Sequence, residues 1–505
     1  MLYLYPKKLD ISLPKDSSSI ILNKELADRH GIHQGDMMLL YLRGVEIGAT
    51  VVLTDTEVSS DKVGIPSNIW QKYPVSELEF IGIELLSQSK SVEAIRKKYK
   101  GGVLNYRETY ELINDIVHFK LTPIELTYFA AISYTIGFTH EELYFLTKAM
   151  VETGTKFDFK GLGQPVVDKH SIGGMPGKGI TPVLVPILAE MGYLVPNTFS
   201  RAITTPAGTA DVLETVMPVS LNEKQIYDTV YKEKACLVWG GALDLAPADD
   251  ILIQVEKPLH VESYDKFIVS ILAKKIAMGV QYVLIDIPYG KYGKIDEKDL
   301  PIVKRGFKTL AKKFGIEMVI YDRTAYGSDG RGIGPNLEMR DTLMILERKP
   351  GRPLHIENVV IDMAAQLAML VGNYKDVETA REKAREILDS GQALEKFWSI
   401  AFAQGAKAYV TSEMLEPGIF NHQIVAKTAG TIEFFDNRKL VKLARLLGTP
   451  HDKGAGIYLE KYVGDAIVPG DLVATIYAED KTRLDLAVKA LKEIGEFYIL
   501  DVKEK

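Results

Sequence analysis

The chain has 505 residues, a formal net charge of -6 and a mean hydropathy near zero. Its length predicts several domains, and its acidic balance argues against broad binding to nucleic acid or anionic membranes, which favour basic surfaces. The single cysteine, Cys236, excludes an internal disulfide and any all-cysteine metal site. It fits a reducing cytoplasm, the location that we expect, or an organism that avoids labile residues. We expect neither a signal peptide nor a membrane-spanning segment.

Residues 1–86 alternate short apolar runs with turns and are rich in β-branched side chains, which predicts a small β-rich domain. A polar stretch at 87–91 marks its boundary. The next region has helical patterns that stop at glycines, and the spacing of Thr139 and Glu142 predicts a capping box. We therefore predict a helical domain after the β-rich one.

From Pro165 onward the pattern alternates between strands and helices, which predicts an α/β sheet flanked by helices. Strands are predicted at 194–196, 251–255, 281–287 and 316–321. Helices are predicted at 180–191, 263–278, 298–314, 376–390 and 392–404. After Pro417, short apolar strands mix with helical patterns at 439–447 and 481–494, which predicts a compact C-terminal α+β domain.

Two loops in the α/β region have residues suited to anions. In the first, Lys169, His170 and Ser171 precede the pair Gly173 and Gly174, and successive N–H groups in a glycine turn form an anion-binding nest. The second loop, residues 200–209, carries serine, arginine and threonine before a helical pattern, whose free N–H groups favour phosphate. Two such loops predict a substrate with more than one negative group.

Neither glycine-rich stretch matches a standard nucleotide motif. Ile172 stands where a P-loop ending at Lys178 needs its first glycine, and Gly179 replaces the hydroxyl residue. The run from Gly330 to Gly334 has the wrong spacing for a dinucleotide fingerprint. A plain glycine-rich surface loop remains an alternative for each stretch taken singly.

The motifs taken together are more specific. Residues 169–174, 200–201, 208–214, 245–249 and 270–275 follow in the order found in the thymidine/pyrimidine nucleoside phosphorylase family, which the chain resembles from about residue 90 onward. The β-rich N-terminal region and the segment 200–205 resemble the archaeal AMP phosphorylase branch.

The resemblance implies a multidomain α/β fold with four domains, in which the cleft between the helical and the α/β domains closes on substrate. The four domains are a β-rich oligomerisation domain at 1–86, a helical domain at 88–160 plus 258–280, an α/β phosphate-binding domain at 161–257 plus 281–420, and an α+β domain at 421–505. It also implies a homodimer through the helical domain, which the N-terminal domain extends to a larger homo-oligomer.

By the same resemblance, Lys169, Ser171 and Thr209 hold the attacking phosphate, because lysine supplies a point charge and hydroxyls fix orientation. His170 lies in the same loop as a catalytic candidate, and a packing histidine is its alternative. The implied AMP site comprises Gly174, Ser200, Arg201, Ala202, Ile203, Thr204, Thr205, Thr209, Ser270, Lys274 and Lys294. A solvated loop charge remains an alternative for Lys294, and Asp168 and Asp211 are interpreted as structural.

Pyrimidine nucleoside phosphorylases carry a base-reading arginine shortly after the segment 245–249, and it is absent here. Glu262 stands where the AMP phosphorylase branch has an acidic proton donor, usually aspartate. A carboxylic acid there protonates the departing base, which requires a raised pKa, and a solvated glutamate at a helix start is the alternative.

The implied reaction is phosphorolysis of AMP to adenine and ribose 1,5-bisphosphate, with CMP and UMP as further substrates. Inorganic phosphate is the co-substrate, and we expect no cofactor and no metal, because the His, Asp and Glu residues lack ligand spacing. The alternatives are a pyrimidine nucleoside phosphorylase, a phosphoribosyltransferase of the anthranilate type, which needs Mg²⁺ and diphosphate, and a nucleotide sensor without turnover.

Overall fold

The computed structural model describes residues 1–11, 13, 17–87, 89–202, 205–259, 263–291 and 293–501. The chain divides into two compact units, the first formed by Met1–Thr155 and Leu245–Ala273, the second by Lys156–Asp244 and Lys274–Lys505. The four predicted domain boundaries stay a prediction. Residues 245–257, which are predicted to belong to the α/β domain, lie in the first unit.

The N-terminal part of the first unit is a closed barrel. Its strands are Leu2–Leu9, Ser19–Asn23, Met37–Leu42, Val45–Thr54, Lys62–Pro66 and Ile81–Leu85, with short helices at Lys24–Arg29 and Ser67–Lys72. The last strand closes the barrel, because it pairs with both the first strand and Met37–Leu42. Inward side chains such as Leu22, Leu40 and Ile83 are fully buried and form the barrel core.

Helices form the rest of the first unit, at Lys90–Tyr99, Tyr106–Val117, Pro123–Thr135, His140–Glu152 and Pro247–Leu259, together with the start of Tyr264–Ala277. The predicted capping box is confirmed, since Thr139 Oγ1 accepts from the Glu142 amide at 3.2 Å and Glu142 accepts from the Thr139 amide at 2.8 Å. The Glu142 carboxylate also pairs with buried Lys98 at 2.9 Å, which ties two helices together.

The prediction of a strand at 251–255 is wrong, because this segment lies inside the helix Pro247–Leu259. The apolar run resembles a strand when taken alone. Pro247 and the acidic pair Asp249 and Asp250 instead supply the first turn of a helix, where a fixed φ and negative charge are both favourable. Ile251 and Leu252 are buried, so packing of an apolar helical face outweighs local β propensity.

The second unit contains a parallel sheet in the order Glu317–Thr324, Tyr282–Tyr289, Val167–Ser171. A second parallel pair, Val195–Phe199 with Ala235–Trp239, adjoins it through a bridge between Val166 and Leu194. Helices surround these strands at Ile180–Glu190, Thr209–Leu213, Glu223–Glu233, Leu300–Lys313, Pro335–Leu346, Leu354–Val371, Val377–Asp389 and Gln392–Ala403. Cys236, in the strand Ala235–Trp239, is fully buried, and burial raises the pKa of its thiol.

The C-terminal part of the second unit has two antiparallel sheets and two helices. The strands are Gly332–Ile333, Phe420–Val425, Gly430–Phe435, Gly456–Leu459, Ala466–Ile467, Leu472–Ala478 and Tyr498–Asp501, and the helices are Asn437–Leu447 and Lys481–Ile494. The whole arrangement confirms the predicted fold class, a multidomain α/β protein with β-rich, helical, α/β and α+β parts.

Among the described residues, one helix, Leu354–Val371, is long and apolar enough to cross a membrane. Its Ile356, Val360 and Met363 side chains are fully buried in the core of the second unit. Its apolar composition is therefore explained by packing against neighbouring helices and the sheet.

Candidate active site

The first predicted anion loop begins where the strand Val167–Ser171 ends, in the parallel sheet. Ser171 lies directly opposite Asp286 of the neighbouring strand, and both lie toward the carboxyl ends of their strands. Ligands in open α/β sheets bind at this edge, because the loops that follow the strands converge there. The sheet therefore brings residues 169–171 and Asp286 to one edge.

Lys169 is 5% exposed, and its Nζ lies 3.9 Å from Asp286 Oδ2. Burial lowers the pKa of Lys169, while the charge of Asp286 opposes this shift. Burial also opposes ionisation of Asp286, but Arg323 and Lys169 outweigh it and hold the pKa of that carboxyl well below its usual value. Arg323 is itself paired with both Asp286 and Asp329, at 2.9 and 2.5 Å.

His170 is half-buried beside a group of cations. Burial and the charges of Lys275, Lys169, Lys274 and Lys178 hold its pKa well below the ordinary value. The imidazole is therefore neutral at physiological pH. A neutral histidine among lysines does not add to the positive charge of the loop, although it retains one ring N–H to donate.

Ser171 has a partner that the sequence interpretation does not assign to the site. The Lys178 ammonium donates to Ser171 Oγ at 2.7 Å. Burial and the charge of Lys169 lower the pKa of Lys178 to about 8, against the opposing effect of Asp286. In the sequence, Lys178 is used only as an argument against a P-loop. Its position next to a glycine turn is the signal that could have identified it as a candidate site residue.

The glycine turn between these two residues adopts a left-handed backbone. Gly173, Gly174 and Gly177 have φ values of 95°, 89° and 72°. A Cβ on Gly174 would lie 3.1 Å from the Cβ of Lys294, so the first loop and the loop bearing Lys294 approach closely. Two predicted AMP contacts, Gly174 and Lys294, are thus neighbours in the structure.

The second predicted anion loop is held by carboxylates. The guanidinium of Arg201 pairs with Glu214 through both carboxylate oxygens, bonds to Asp211 at 3.1 Å, and lies 4.4 Å from the Trp239 ring centroid. Arg201 is thus fixed by three neighbours in this structure. Its predicted contact with a substrate phosphate stays a prediction.

Asp211 has the structural role predicted for it. Its Oδ2 accepts from the backbone amides of Ala202 and Gly208, at 2.8 and 2.9 Å, and so closes the loop onto the start of the helix Thr209–Leu213. A Cβ on Gly208 would lie 2.4 Å from the backbone carbon of Arg201, so this position needs glycine.

The remaining hydroxyls of the second loop have different surroundings. Ser200 is exposed, whereas Thr209 is half-buried at the first position of the helix Thr209–Leu213. The Thr205 hydroxyl donates to the Ala207 carbonyl at 2.8 Å and is engaged within the loop. Ile203 and Thr204 lie outside the described residues.

Asp168 is part of the scaffold, as predicted. Its carboxylate accepts from Lys275 at 2.5 Å and from the Asn197 amide at 2.5 Å, and all three residues are buried. Lys275 also donates to the backbone oxygen of Thr198 at 3.1 Å. This cluster joins the strands that precede the two anion loops, while the adjacent Lys274 is half-buried near His170.

Two predicted residues belong to other parts of the chain. Ser270, in the first unit, donates from its hydroxyl to Asp249 Oδ2 at 2.6 Å, which links it to the segment 245–249. Glu262, the predicted proton donor, lies outside the described residues, so its role stays a prediction.

Glu338 lies in the run 332–340, which resembles a family loop near the active site but to which the sequence assigns no role residue by residue. It is 3% exposed and accepts from the Lys178 amide at 3.0 Å and the Gly334 amide at 3.1 Å. Burial raises its pKa to about 8. Glu338 and Arg323 lie far from the first loop in the sequence, and Arg323 carries no motif of its own.

Comparisons with known proteins support the family that the motifs indicate. A family model described as the pyrimidine nucleoside phosphorylase C-terminal domain matches residues 431–497, and one described as the glycosyl transferase family, helical bundle domain, matches residues 92–154. In fold, the chain is similar to anthranilate phosphoribosyltransferase from Thermus thermophilus, with a TM-score of 0.52, 16% identity, and coverage of 62% of this chain and 99% of the other.

Relatives of similar length share most of the sequence. The chain is 36% identical to an AMP phosphorylase of Thermofilum pendens, with 95% of this chain and 93% of the relative covered. It is 37% identical to one of Methanosarcina barkeri, with 93% and 92% covered, and 35% identical to one of Methanocaldococcus jannaschii, with 97% and 96% covered. At this identity over nearly the whole length, the chain belongs to the AMP phosphorylase family, within the thymidine/pyrimidine nucleoside phosphorylases.

Proposed function

We propose that this protein is an AMP phosphorylase, a pentosyltransferase that converts AMP and inorganic phosphate to adenine and ribose 1,5-bisphosphate. The observation that carries the proposal is the hydrogen bond from Lys178 to the Ser171 hydroxyl beside a left-handed glycine turn, with the buried Lys169 two residues before that serine. Lysine ammonium groups near a hydroxyl favour a phosphate group. The names of relatives that cover more than nine tenths of the chain also support it.

The attacking phosphate is held, in this proposal, by Lys169, Ser171 and Thr209. Phosphorolysis needs this anion beneath the anomeric carbon, with few degrees of freedom left to lose. The burial of Lys169 strengthens its attraction for phosphate, because water screens a buried charge less. His170, neutral in this environment, orients the phosphate or the ribose by a hydrogen bond and adds no charge.

The 5′-phosphate of the nucleotide requires a second group of contacts. Gly174 and Lys294, which lie against each other, supply a close backbone approach and a cation. The loop 200–205 adds hydroxyls and backbone amides, with Arg201 held beside them by Asp211 and Glu214. An enzyme for nucleosides alone has no need for this second phosphate site.

The base leaves after protonation by Glu262, while Ser270 and Lys274 contact the base or the sugar. General acid assistance of this kind contributes about 10²–10⁴-fold to the rate. The residues assigned here supply the charge, the orientation and the proton, so we propose that no cofactor and no metal is required. CMP and UMP are proposed as further substrates by analogy with the family.

We further propose that the protein acts in the cytoplasm as a homodimer or a larger homo-oligomer. The acidic net charge of -6 gives no reason to expect nucleic acid or a membrane as a partner. Small molecules, AMP and phosphate, are the partners that the site requires.

A pyrimidine nucleoside phosphorylase is the second candidate. It is favoured by the match of residues 431–497 to a pyrimidine nucleoside phosphorylase C-terminal domain. That domain does not include the segment shortly after residues 245–249, where a base-reading arginine would be expected. The match therefore bears on architecture more than on substrate.

Phosphate-dependent base release separates the two candidates. We expect release from AMP, CMP and UMP, and little or none from uridine and thymidine. Release from the nucleosides alone would overturn the proposal. Glu262→Gln and Lys169→Ala should each lower the rate with AMP by at least about 100-fold, since one removes the proton and the other the phosphate charge. A nucleotide sensor would bind AMP with no rate for either substitution to change.

A further inference from the structure

Lys178 is a half-buried lysine at the end of the first anion loop, seven residues after Ser171. Its ammonium group donates to Ser171 Oγ at 2.7 Å. None of the motifs that point to the family includes it. Its position nevertheless places a second cation, after Lys169, at the hydroxyl proposed to bind phosphate.

The loop holds Lys178 in place from its backbone. The Lys178 amide donates to the buried carboxyl of Glu338 at 3.0 Å. The preceding Gly177 has φ of 72°, and a Cβ there would lie 2.3 Å from Ser328 Oγ, so the backbone packs too closely for any other residue. A lysine anchored in this way reaches Ser171 with less conformational entropy to lose than a lysine on a free loop.

The direction of the hydrogen bond matters for what Ser171 can do. An ammonium group has donors only, so the Ser171 oxygen must accept from Lys178. The serine O–H is then left to donate to another group. Lys178 and Ser171 together form a pair of donors suited to an oxyanion.

The charges around Lys178 leave room for an anion. The charged groups with the largest effect on its pKa are the cations Lys169 and Arg323 and the carboxylates Asp286 and Asp329, and the Glu338 carboxyl lies at its backbone amide. Both carboxylates are bound by Arg323. With Lys178 included, three cations face two carboxylates, so the cluster has a net charge of one positive unit when all five groups are ionised.

We propose that Lys178 is a further phosphate-binding residue, whose ammonium group contacts the attacking phosphate beside Ser171. The inference rests on the proposed function for the reaction in which that phosphate is consumed. Burial and Lys169 lower the pKa of Lys178 to about 8, and a bound dianion would favour its charged form again.

Two substitutions at this position test the proposal by equilibrium binding of inorganic phosphate, measured by calorimetry without AMP. Lys178→Met removes the charge and keeps the chain length, whereas Lys178→Arg keeps the charge. Loss of one charged hydrogen bond should weaken phosphate binding by about 10- to 100-fold in Lys178→Met and by much less in Lys178→Arg. In steady-state turnover, Lys178→Met should raise the KM for phosphate, whereas its KM for AMP should stay within about 2-fold of wild type.

Unchanged phosphate affinity in Lys178→Met would overturn the proposal, as would a wild-type protein that does not bind phosphate. Binding without AMP turnover would instead count against the proposed function alone. If Lys178→Met does not fold, the pH profile of Lys178→Arg decides. Wild-type affinity should fall above about pH 8, where Lys178 loses its proton, and the arginine variant should fall less because guanidinium stays charged. Identical profiles would contradict the role of Lys178, because the titration of phosphate, of Lys169 and of Glu338, whose pKa is also about 8, is common to both proteins.

Discussion

The carboxylate of Asp168 is fully buried, directly before the lysine proposed to bind phosphate. It accepts hydrogen bonds from Lys275 and Asn197, each at 2.5 Å, and from the Lys169 amide at 2.7 Å. A buried carboxylate with these partners is satisfied, but it has no access to water if one partner is removed. The geometry of the first anion loop therefore depends on a charge pair that does not itself need to touch substrate.

Lys275→Met should lower the free energy of unfolding by about 3–5 kcal/mol, because it leaves the Asp168 carboxylate buried without its counter-charge. Urea unfolding measures this loss. The control is Lys224→Met, which removes an exposed pair with Asp228 and should cause no measurable change. A Lys275→Met protein as stable as this control would show that the pair contributes little.

Several candidate residues could be predicted because they are neighbours in the sequence. Lys169, Ser171 and Gly174 form one short motif, and its chemistry can be interpreted without knowing the fold. Arg323 and Glu338 could not be predicted in this way. They reach the first loop only through strand pairing and a helix that lie more than 150 residues later in the chain. Their residue types alone do not distinguish them from other charged side chains.

At the level of elements, Gly177 in the first anion loop is required for two separate reasons, and Gly192, outside the loop, has only one of them. Gly177 has a left-handed backbone, and a side chain on its Cα would also strike Ser328. Gly192, which follows the helix Ile180–Glu190, has φ of 97°, and no atom lies within 4 Å of the place that a Cβ would take there. A comparison of substitutions at the two glycines therefore separates the cost of backbone strain from the cost of a steric clash.

Gly192→Ala should cost about 1–2 kcal/mol of unfolding free energy from backbone strain alone. Gly177→Ala should cost more, and it should also raise the KM for phosphate several-fold, because the clash displaces Lys178 from Ser171. Denaturant unfolding and steady-state kinetics with phosphate measure the two effects. Equal losses in the two variants, or an unchanged KM in Gly177→Ala, would contradict the proposed fit of this loop.

The element boundaries show where local pattern suffices. The helix Lys481–Ile494 matches its predicted bounds, because its apolar residues repeat at helical spacing and Asp480 and Gly495 flank it. The strand prediction at 251–255 fails, since a short apolar run fits a buried strand or a buried helix equally well. The helix Leu354–Val371 has no counterpart among the predicted elements, and its apolar residues leave little polar face to define a helical period.

At the level of the whole molecule, two buried carboxyls make stability depend on pH. Burial raises the pKa of Glu338 from 4.5 to about 8 and that of Asp341 from 3.8 to about 6. For each group, the native state therefore binds more protons than the unfolded state at pH values between its unfolded and its native pKa. Their contribution to stability is fully present below the unfolded pKa and is lost as pH rises through the native pKa, with a slope of up to about 1.4 kcal/mol per pH unit for each group.

Glu338→Gln should therefore show a shallower fall of the unfolding free energy between about pH 6.5 and 8, where Asp341 has already ionised. The slope is the quantity to measure, because glutamine also changes the hydrogen bonds to the Lys178 and Gly334 amides. Glu223→Gln, an exposed position at a helix start, is the matched control and should keep the wild-type slope. A wild-type slope in Glu338→Gln would contradict the raised pKa.

The lone buried cysteine offers a way to observe the sheet without turnover. Cys236 is the one sulfhydryl in the chain, and the strand that carries it pairs with Val195–Phe199, which leads into the second anion loop. A thiol reagent can modify Cys236 only when the structure around it opens transiently. Each modified molecule gains one mass increment, so the modified fraction over time measures how readily this region opens. Ligands that bind the native state, in which Cys236 is buried, should slow this modification in proportion to their occupancy, whichever base they carry.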